Sequence, residues 1–217
     1  MNDNQQDMLN LMTSRAAVYR LLSGFYLEEI TDETFKALQA ATLPTDAEDP
    51  LLKKGWEELA AFLKNPPENA VEELACDYAR VFLGAGCINE TVAYPFESVY
   101  TNPQKLVCQE ACEAVTKLMR AEGLKKAKDD LFEDHAALEF SLMAHWCDKA
   151  VRELKAGNET AYERAVEQQA VFVEKHLLNW MPAFLADIRA CGRTDFYKAA
   201  ADITEGWLAE EKALFSL

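Results

Sequence analysis

Apolar residues recur along this chain at intervals of three and four rather than two, and Gly and Pro interrupt them at only a few places, so the pattern predicts helix nearly throughout. The first helix covers about 8–27, with Leu11, Ala16, Tyr19, Leu22 and Tyr26 on one stripe. Others follow over about 32–41, 50–63 and 68–81, and Pro50 stands where a missing N–H costs nothing. A helix over 103–122 is stopped by Gly123 at the place of a left-handed cap. Asp130-Leu131-Phe132-Glu133 has the spacing of a capping box and should open a long helix reaching Leu154 or Lys155. Gly157-Asn158 breaks that helix, the next runs to about Trp180, Met181-Pro182 restarts the chain, and Gly192-Arg193-Thr194 precedes a last helix ending near Phe215. About nine helices are expected with no strand, repeat or linker, hence a single all-α domain over 1–217.

One stretch departs from the helical period. Residues 82–102 form a connection of about twenty, where bundle connections usually take two to eight. Phe82, Tyr94, Phe96, Val99 and Tyr100 would be costly to leave in water, so an ordered loop is expected, packed across the bundle as one wall of a groove.

At 217 residues the chain is long enough for a core without metal or disulfide staples. Its 22 Lys and Arg stand against 37 Asp and Glu, a net charge of −15, which argues against nucleic acid and anionic membranes as partners. No run is long and apolar enough to insert stably into a membrane, and the N-terminus has neither a basic n-region nor an apolar h-region, so a cytoplasmic protein is expected. The six cysteines (76, 87, 108, 112, 147 and 191) contain no CxxC pair and are expected to be reduced and mostly buried.

Candidate chemistry centres on Asp134-His135 and Glu139. Within the expected helix, His135 shares a stripe with Leu131, Leu138, Leu142 and His145, and Glu139 is its i+4 neighbour. Such a pair can bind a cationic or polar group, titrate near neutral pH, or act as base and orienter. Equally, Asp134 favours a helix N-terminus and His135 fits a satisfied core position. Glu97, set among aromatics in Tyr94-Pro95-Phe96-Glu97-Ser98-Val99-Tyr100, is either bonded internally or poised to meet a cation. His176-Leu177-Leu178-Asn179-Trp180 reads as architecture, and Trp56, Trp146 and Trp207 as core.

Several enzymatic readings can be tested against spacing. Phe132, Leu142 and Val173 stand three residues before the three histidines, so no Glu-x-x-His pair exists for a di-metal bundle. HExxH, GxSxG, the P-loop and the dinucleotide fingerprint are absent. A Cys₂His₂ site drawing on Cys108, Cys112, His145 and Cys147 stays open as a metal-binding alternative.

Taken in order, several segments resemble the TorD/DmsD family of chaperones, which mature molybdenum redox enzymes and bind their twin-arginine signal peptides. The resemblance rests on Tyr19-Arg20-Leu21-Leu22 with Tyr26, Tyr78-Ala79-Arg80-Val81-Phe82-Leu83, and the loop from Tyr94 to Tyr100. It continues through Gly123-Leu124, Asp134-His135, Leu138-Glu139-Phe140 and His176-Leu177-Leu178-Asn179-Trp180. It implies a TorD-like all-α fold, no catalytic turnover, no metal and no resident cofactor, with weak binding of a guanine nucleotide as a further property. The implied partners are a twin-arginine signal peptide and the apo form of a molybdopterin oxidoreductase catalytic subunit. By the same resemblance Asp134, His135 and Glu139, with Tyr94, Pro95, Glu97, Ser98 and Tyr100, belong to the peptide-binding surface, joined by Arg80 and Phe82. Phe132 stands where the family often carries Pro, two residues before Asp134.

A twin-arginine leader presents two guanidinium groups followed by an apolar run, so its receptor needs carboxylates beside an apolar groove. Such an exposed groove makes a homodimer a natural side effect. A NarJ-like adaptor that binds the mature part of a redox enzyme is the alternative.

Overall fold

A computed structural model describes residues 3–87, 91–126 and 130–217. The helical period is realised as ten α-helices: α1 (Asp3–Leu27), α2 (Asp32–Ala40), α3 (Pro50–Lys64), α4 (Ala70–Leu83), α5 (Glu97–Thr101), α6 (Glu110–Ala121), α7 (Ala136–Lys155), α8 (Glu159–Phe172), α9 (Met181–Cys191) and α10 (Asp195–Leu214). A π-helical turn, Val173–Leu177, extends α8. Among the described residues there is no strand, which bears out the all-α expectation, and no helix is long and apolar enough to cross a membrane. Contacts divide the chain into two compact units, Met1–Leu27 with Phe96–Asn179 and Glu28–Pro95 with Trp180–Leu217.

In the first unit α1 packs along α7, and α7 against α8. The stripe on α1 supplies Tyr19 and Tyr26, whose rings lie 6.1 and 6.0 Å from that of Phe140 on α7. The Ser23 hydroxyl donates to the Ala137 carbonyl at 2.8 Å, tying α1 to the first turn of α7. Trp146 meets Phe172 edge to face at 5.3 Å, fixing α8 on the same core. Arg15 is buried on α1 and donates to Gln169 Oε1. α6 ends as expected: Gly123, at φ +69°, donates to Arg120, and Leu124 donates to Met119 at 2.9 Å, a Schellman closure that only a residue tolerant of the left-handed region provides cheaply.

In the second unit α3 packs on α10 and α9 on α10. α3 opens as Pro50 suggests, with Asp49 Oδ1 accepting from the Leu51 and Leu52 amides at 2.9 and 2.8 Å. Close approach at this crossing depends on Gly206, where a Cβ would stand 2.5 Å from the Leu52 nitrogen. Asp77 on α4 holds the start of α10, accepting from the Arg193 amide, the Thr194 amide (2.8 Å) and the Thr194 hydroxyl (2.7 Å). Trp56 and Trp207 are core here, as Trp146 is in the first unit.

Two helix starts differ from expectation. α6 begins at Glu110 rather than near Pro103, because Lys105 and Cys108 adopt φ +54° and +55°, outside the helical region. α7 begins at Ala136 rather than at the Asp130 box, because His135 is paired with Phe96 in extended geometry. The stretch over 82–102 is not loop throughout: α4 runs to Leu83, Gly84 caps it at φ +69°, and the short α5 follows Phe96. Part of the stretch, 88–90, lies outside the described residues.

Candidate functional site

The first unit brings together Glu97, Ser98, Tyr100, Asp134, His135 and Glu139, whereas Arg80, Phe82, Tyr94 and Pro95 belong to the second. The centre of the first group is a junction between α5 and the turn that opens α7. The Glu97 amide donates to the Asp134 carbonyl at 2.9 Å and the Ser98 amide to Asp134 Oδ2 at 2.9 Å. Phe96 and His135 pair as an isolated antiparallel bridge, their rings edge to face at 5.0 Å. This pairing holds His135 extended after a turn in which its amide donates to the Phe132 carbonyl at 3.2 Å, which is why the helix cannot run on from Asp130. His135 becomes the N-cap of α7, at φ −75° and ψ 134°, with Nδ1 accepting from the Ala137 amide at 3.2 Å. The reading of His135 as part of a helical stripe is corrected accordingly.

Asp134 is fully buried, and burial raises its carboxyl above the usual range, with the Glu97 charge adding to the effect and the Ser98 donors opposing it. Ser98 Oγ accepts from the Gln109 amide at 3.0 Å, tying the turn before α6 to the same junction. Phe132, partly exposed, sets its ring 6.1 Å from Phe96 at the position where Pro was expected by resemblance.

Glu97 is bonded internally. Its Oε2 lies 2.8 Å from His176 Nδ1 and its Oε1 accepts from Asn179 Nδ2 at 2.9 Å. The π turn makes this meeting: Leu178 donates to Val173, five residues back, and the added residue rotates the succeeding side chains by about 100° relative to a regular helix. His176 also stacks on Phe172, with ring centroids 4.7 Å apart. His176 and Asn179 thus hold the candidate residue Glu97 in place, a specific contact within the architectural role expected of them. Their i, i+3 spacing places them on one helix face, but no sequence signal pairs them with a residue some eighty positions earlier.

Glu139, fully buried on α7, completes a group with Glu97 and His176 whose ligand atoms lie within 4.8 Å of one another. Two carboxylates and an imidazole are donors that a divalent cation uses, although His176 Nδ1 and both Glu97 oxygens already have protein partners. The Cys₂His₂ set is dispersed: Cys108 meets Cys112, Cys147 faces Gln169 Oε1 at 3.5 Å, and His145 faces Glu122 at 3.2 Å. All six cysteines are free, but only Cys112, Cys147 and Cys191 are buried, fewer than expected.

A groove of about 560 Å³ opens beside His176. Leu118 of α6, Trp146 of α7, and Val171 and Phe172 of α8 give it an apolar lining. Its His176 edge is the imidazole that holds Glu97, so an apolar surface and a buried carboxylate meet across one ring.

In the second unit, Phe82 packs its ring among Tyr78, Tyr197 and Phe184 at 5.0, 5.4 and 6.1 Å. Arg80 Nε stands 3.7 Å from Asp77 Oδ1. Pro95 is buried and Tyr94 is exposed, while the Ala93 amide donates to the Val81 carbonyl at 2.9 Å and pins this segment to α4.

Residues 45–186 match the nitrate reductase delta subunit family. The chain is 26% identical over 214 residues to the chaperone protein TorD of Vibrio cholerae, covering 95% of this chain and 94% of the relative. It is 26% identical over 208 residues to TorD of Photobacterium profundum (91% and 92% covered), and 27% identical over 220 residues to TorD of a Psychrobacter species (97% and 95% covered).

Proposed function

The chain belongs to the nitrate reductase delta subunit family, the TorD- and NarJ-type chaperones, and on that premise we propose that it is a cytoplasmic maturation chaperone that receives the twin-arginine signal peptide of a molybdopterin oxidoreductase and holds the apo enzyme while its cofactor is inserted. The relatives carry the name of chaperones, which supports a binding role.

The observation that carries the reading is the apolar groove beside His176, backed by the Glu97 and Glu139 carboxylates. The apolar run of a leader would bury side chains against Leu118, Trp146, Val171 and Phe172, which supplies affinity. Charge supplies long-range steering: at −15 the chain attracts a basic leader from a distance, while the groove's own charged rim is Lys117 and Arg164 beside Glu167. In this reading Glu97, Ser98, Asp134 and His135 act by holding the junction in shape, while Tyr100 and Phe132 are the more accessible contributors of the same unit.

Calorimetric titration with a synthetic leader tests it. A peptide carrying the paired arginines and the apolar run should bind and weaken as salt rises. Absence of binding for leaders of every molybdoenzyme in the source genome would refute the reading. Binding to a client whose leader has been deleted, at undiminished affinity, would favour the NarJ-like adaptor instead.

A further inference from the structure

Two of the six free thiols meet: Cys108 Sγ and Cys112 Sγ lie 3.4 Å apart in the first unit. Cys108 is exposed, in the left-handed region at φ +55°, just before α6, and Cys112 is buried in the first turn of that helix. We propose that Cys108 and Cys112 are a reversible dithiol–disulfide site, oxidised by small-molecule disulfides, in the turn that supports the α5–α7 junction. This inference does not depend on the peptide-binding reading.

Closing the bond needs the sulfurs to approach by about 1.4 Å, from 3.4 Å to the S–S distance of about 2.05 Å. The two thiols differ in accessibility, which orders the steps. The exposed Cys108, as thiolate, attacks one sulfur of the small disulfide, breaking its S–S bond, forming a mixed disulfide and releasing one small thiolate. Cys112 then attacks the Cys108 sulfur; the Cys108–Cys112 bond forms and the second small thiolate leaves. The two thiol protons end on the two released thiolates, and two electrons pass to the small disulfide. Cys112 is buried, which pushes its thiol up to about 12 and shields it from reagents in solution, and the sulfur it meets is that of Cys108 at 3.4 Å. Glu133 Oε2 accepts from the Cys112 thiol at 3.8 Å, and that thiol's proton leaves on the departing small thiolate, a much stronger base than a carboxylate.

The position gives the bond a structural consequence. Gln109, between the two cysteines, is the residue whose amide holds Ser98 Oγ, and Glu133 precedes Asp134. A closed disulfide therefore fixes the turn carrying the exposed Leu106 and Val107 to the first turn of α6, against the junction.

The test uses the full native chain treated with oxidised glutathione, quenched by alkylation and digested with trypsin. Peptide 106–117, which holds both cysteines, should lose two hydrogen atoms and escape alkylation, while the exposed Cys76 carries glutathione as an internal control. Dithiothreitol should return both thiols. Cys112→Ser should instead accumulate glutathione on Cys108, because nothing resolves the mixed disulfide. If wild-type peptide 106–117 remains alkylated at both cysteines, or keeps glutathione on Cys108, while Cys76 is modified, the proposal fails; this arm needs no variant to fold.

Discussion

Replacing Val171 probes the groove without touching the junction behind it. Val171 lies at the end of α8 on the groove lining and is 44% exposed in the free chain. Burying a whole valine side chain is worth roughly 1.5–3 kcal/mol, so the exposed fraction offers a ligand about 1 kcal/mol. Val171→Ala should forgo most of that and weaken the leader peptide about fivefold. Val171→Asp also obliges a carboxylate to lose water against Trp146 and Phe172, which should bring the loss to tenfold or more, about 1.4 kcal/mol or above. Both are surface substitutions and should leave urea stability within about 0.5 kcal/mol. Leu83→Ala is the control: Leu83 is 64% exposed, belongs to the second unit, and should not alter affinity. Anisotropy titrations of a labelled leader read the series directly. If Val171→Asp binds the leader as wild type does while folding equally well, the groove is not where the apolar run is held.

Other consequences concern the framework. Asp77→Ala should lower unfolding free energy in urea by about 2 kcal/mol, because it removes the buried acceptor of the partly buried Arg193 and Thr194 donors at the start of α10; a shift below about 1 kcal/mol would mean the aspartate is not what holds that helix. Gly206→Ala should cost about 1–3 kcal/mol by forcing α3 and α10 apart at Leu52, measured by the same denaturation, and an unchanged midpoint would contradict the close crossing. For Asp134 the folded carboxyl is raised, so the native state holds its proton to higher pH than the unfolded chain. Its contribution to stability therefore declines as pH rises from the ordinary aspartate range through the raised value, and stays reduced above it. Asp134→Asn keeps an acceptor for the Ser98 amide and removes that slope, so its stability relative to wild type should improve as pH rises from the ordinary aspartate range through the raised value; parallel curves would show that Asp134 does not titrate in this way.

How far the sequence could be read depended on how local each cause was. The all-helical class, the Pro50 start, the Gly123 cap and the break at 157–158 arise from contacts within a few residues, and all are found. The starts of α6 and α7 were misplaced for opposite reasons. Pro103 looks like a helix opening, but Lys105 and Cys108 take left-handed backbone angles that no propensity announces. The Asp130 box is a sound local signal, overridden when the amides of Glu97 and Ser98 claim Asp134 from more than thirty residues away. At the site, Glu97, Asp134 and Glu139 were singled out as residues, yet the meeting of Glu97 with His176 and Asn179 was not legible. It requires a π turn, and a one-residue change of helical register leaves no mark in a pattern of apolar spacing.

The most direct measurement compares one leader peptide in three forms by calorimetry: with its paired arginines, with both replaced by lysine, and with its apolar run replaced by serine and glycine. The account predicts that the arginine form binds, that the lysine form binds more weakly because an ammonium lacks the planar two-pronged donor geometry, and that loss of the apolar run abolishes measurable binding. Equal binding of all three forms, or of none, would contradict it.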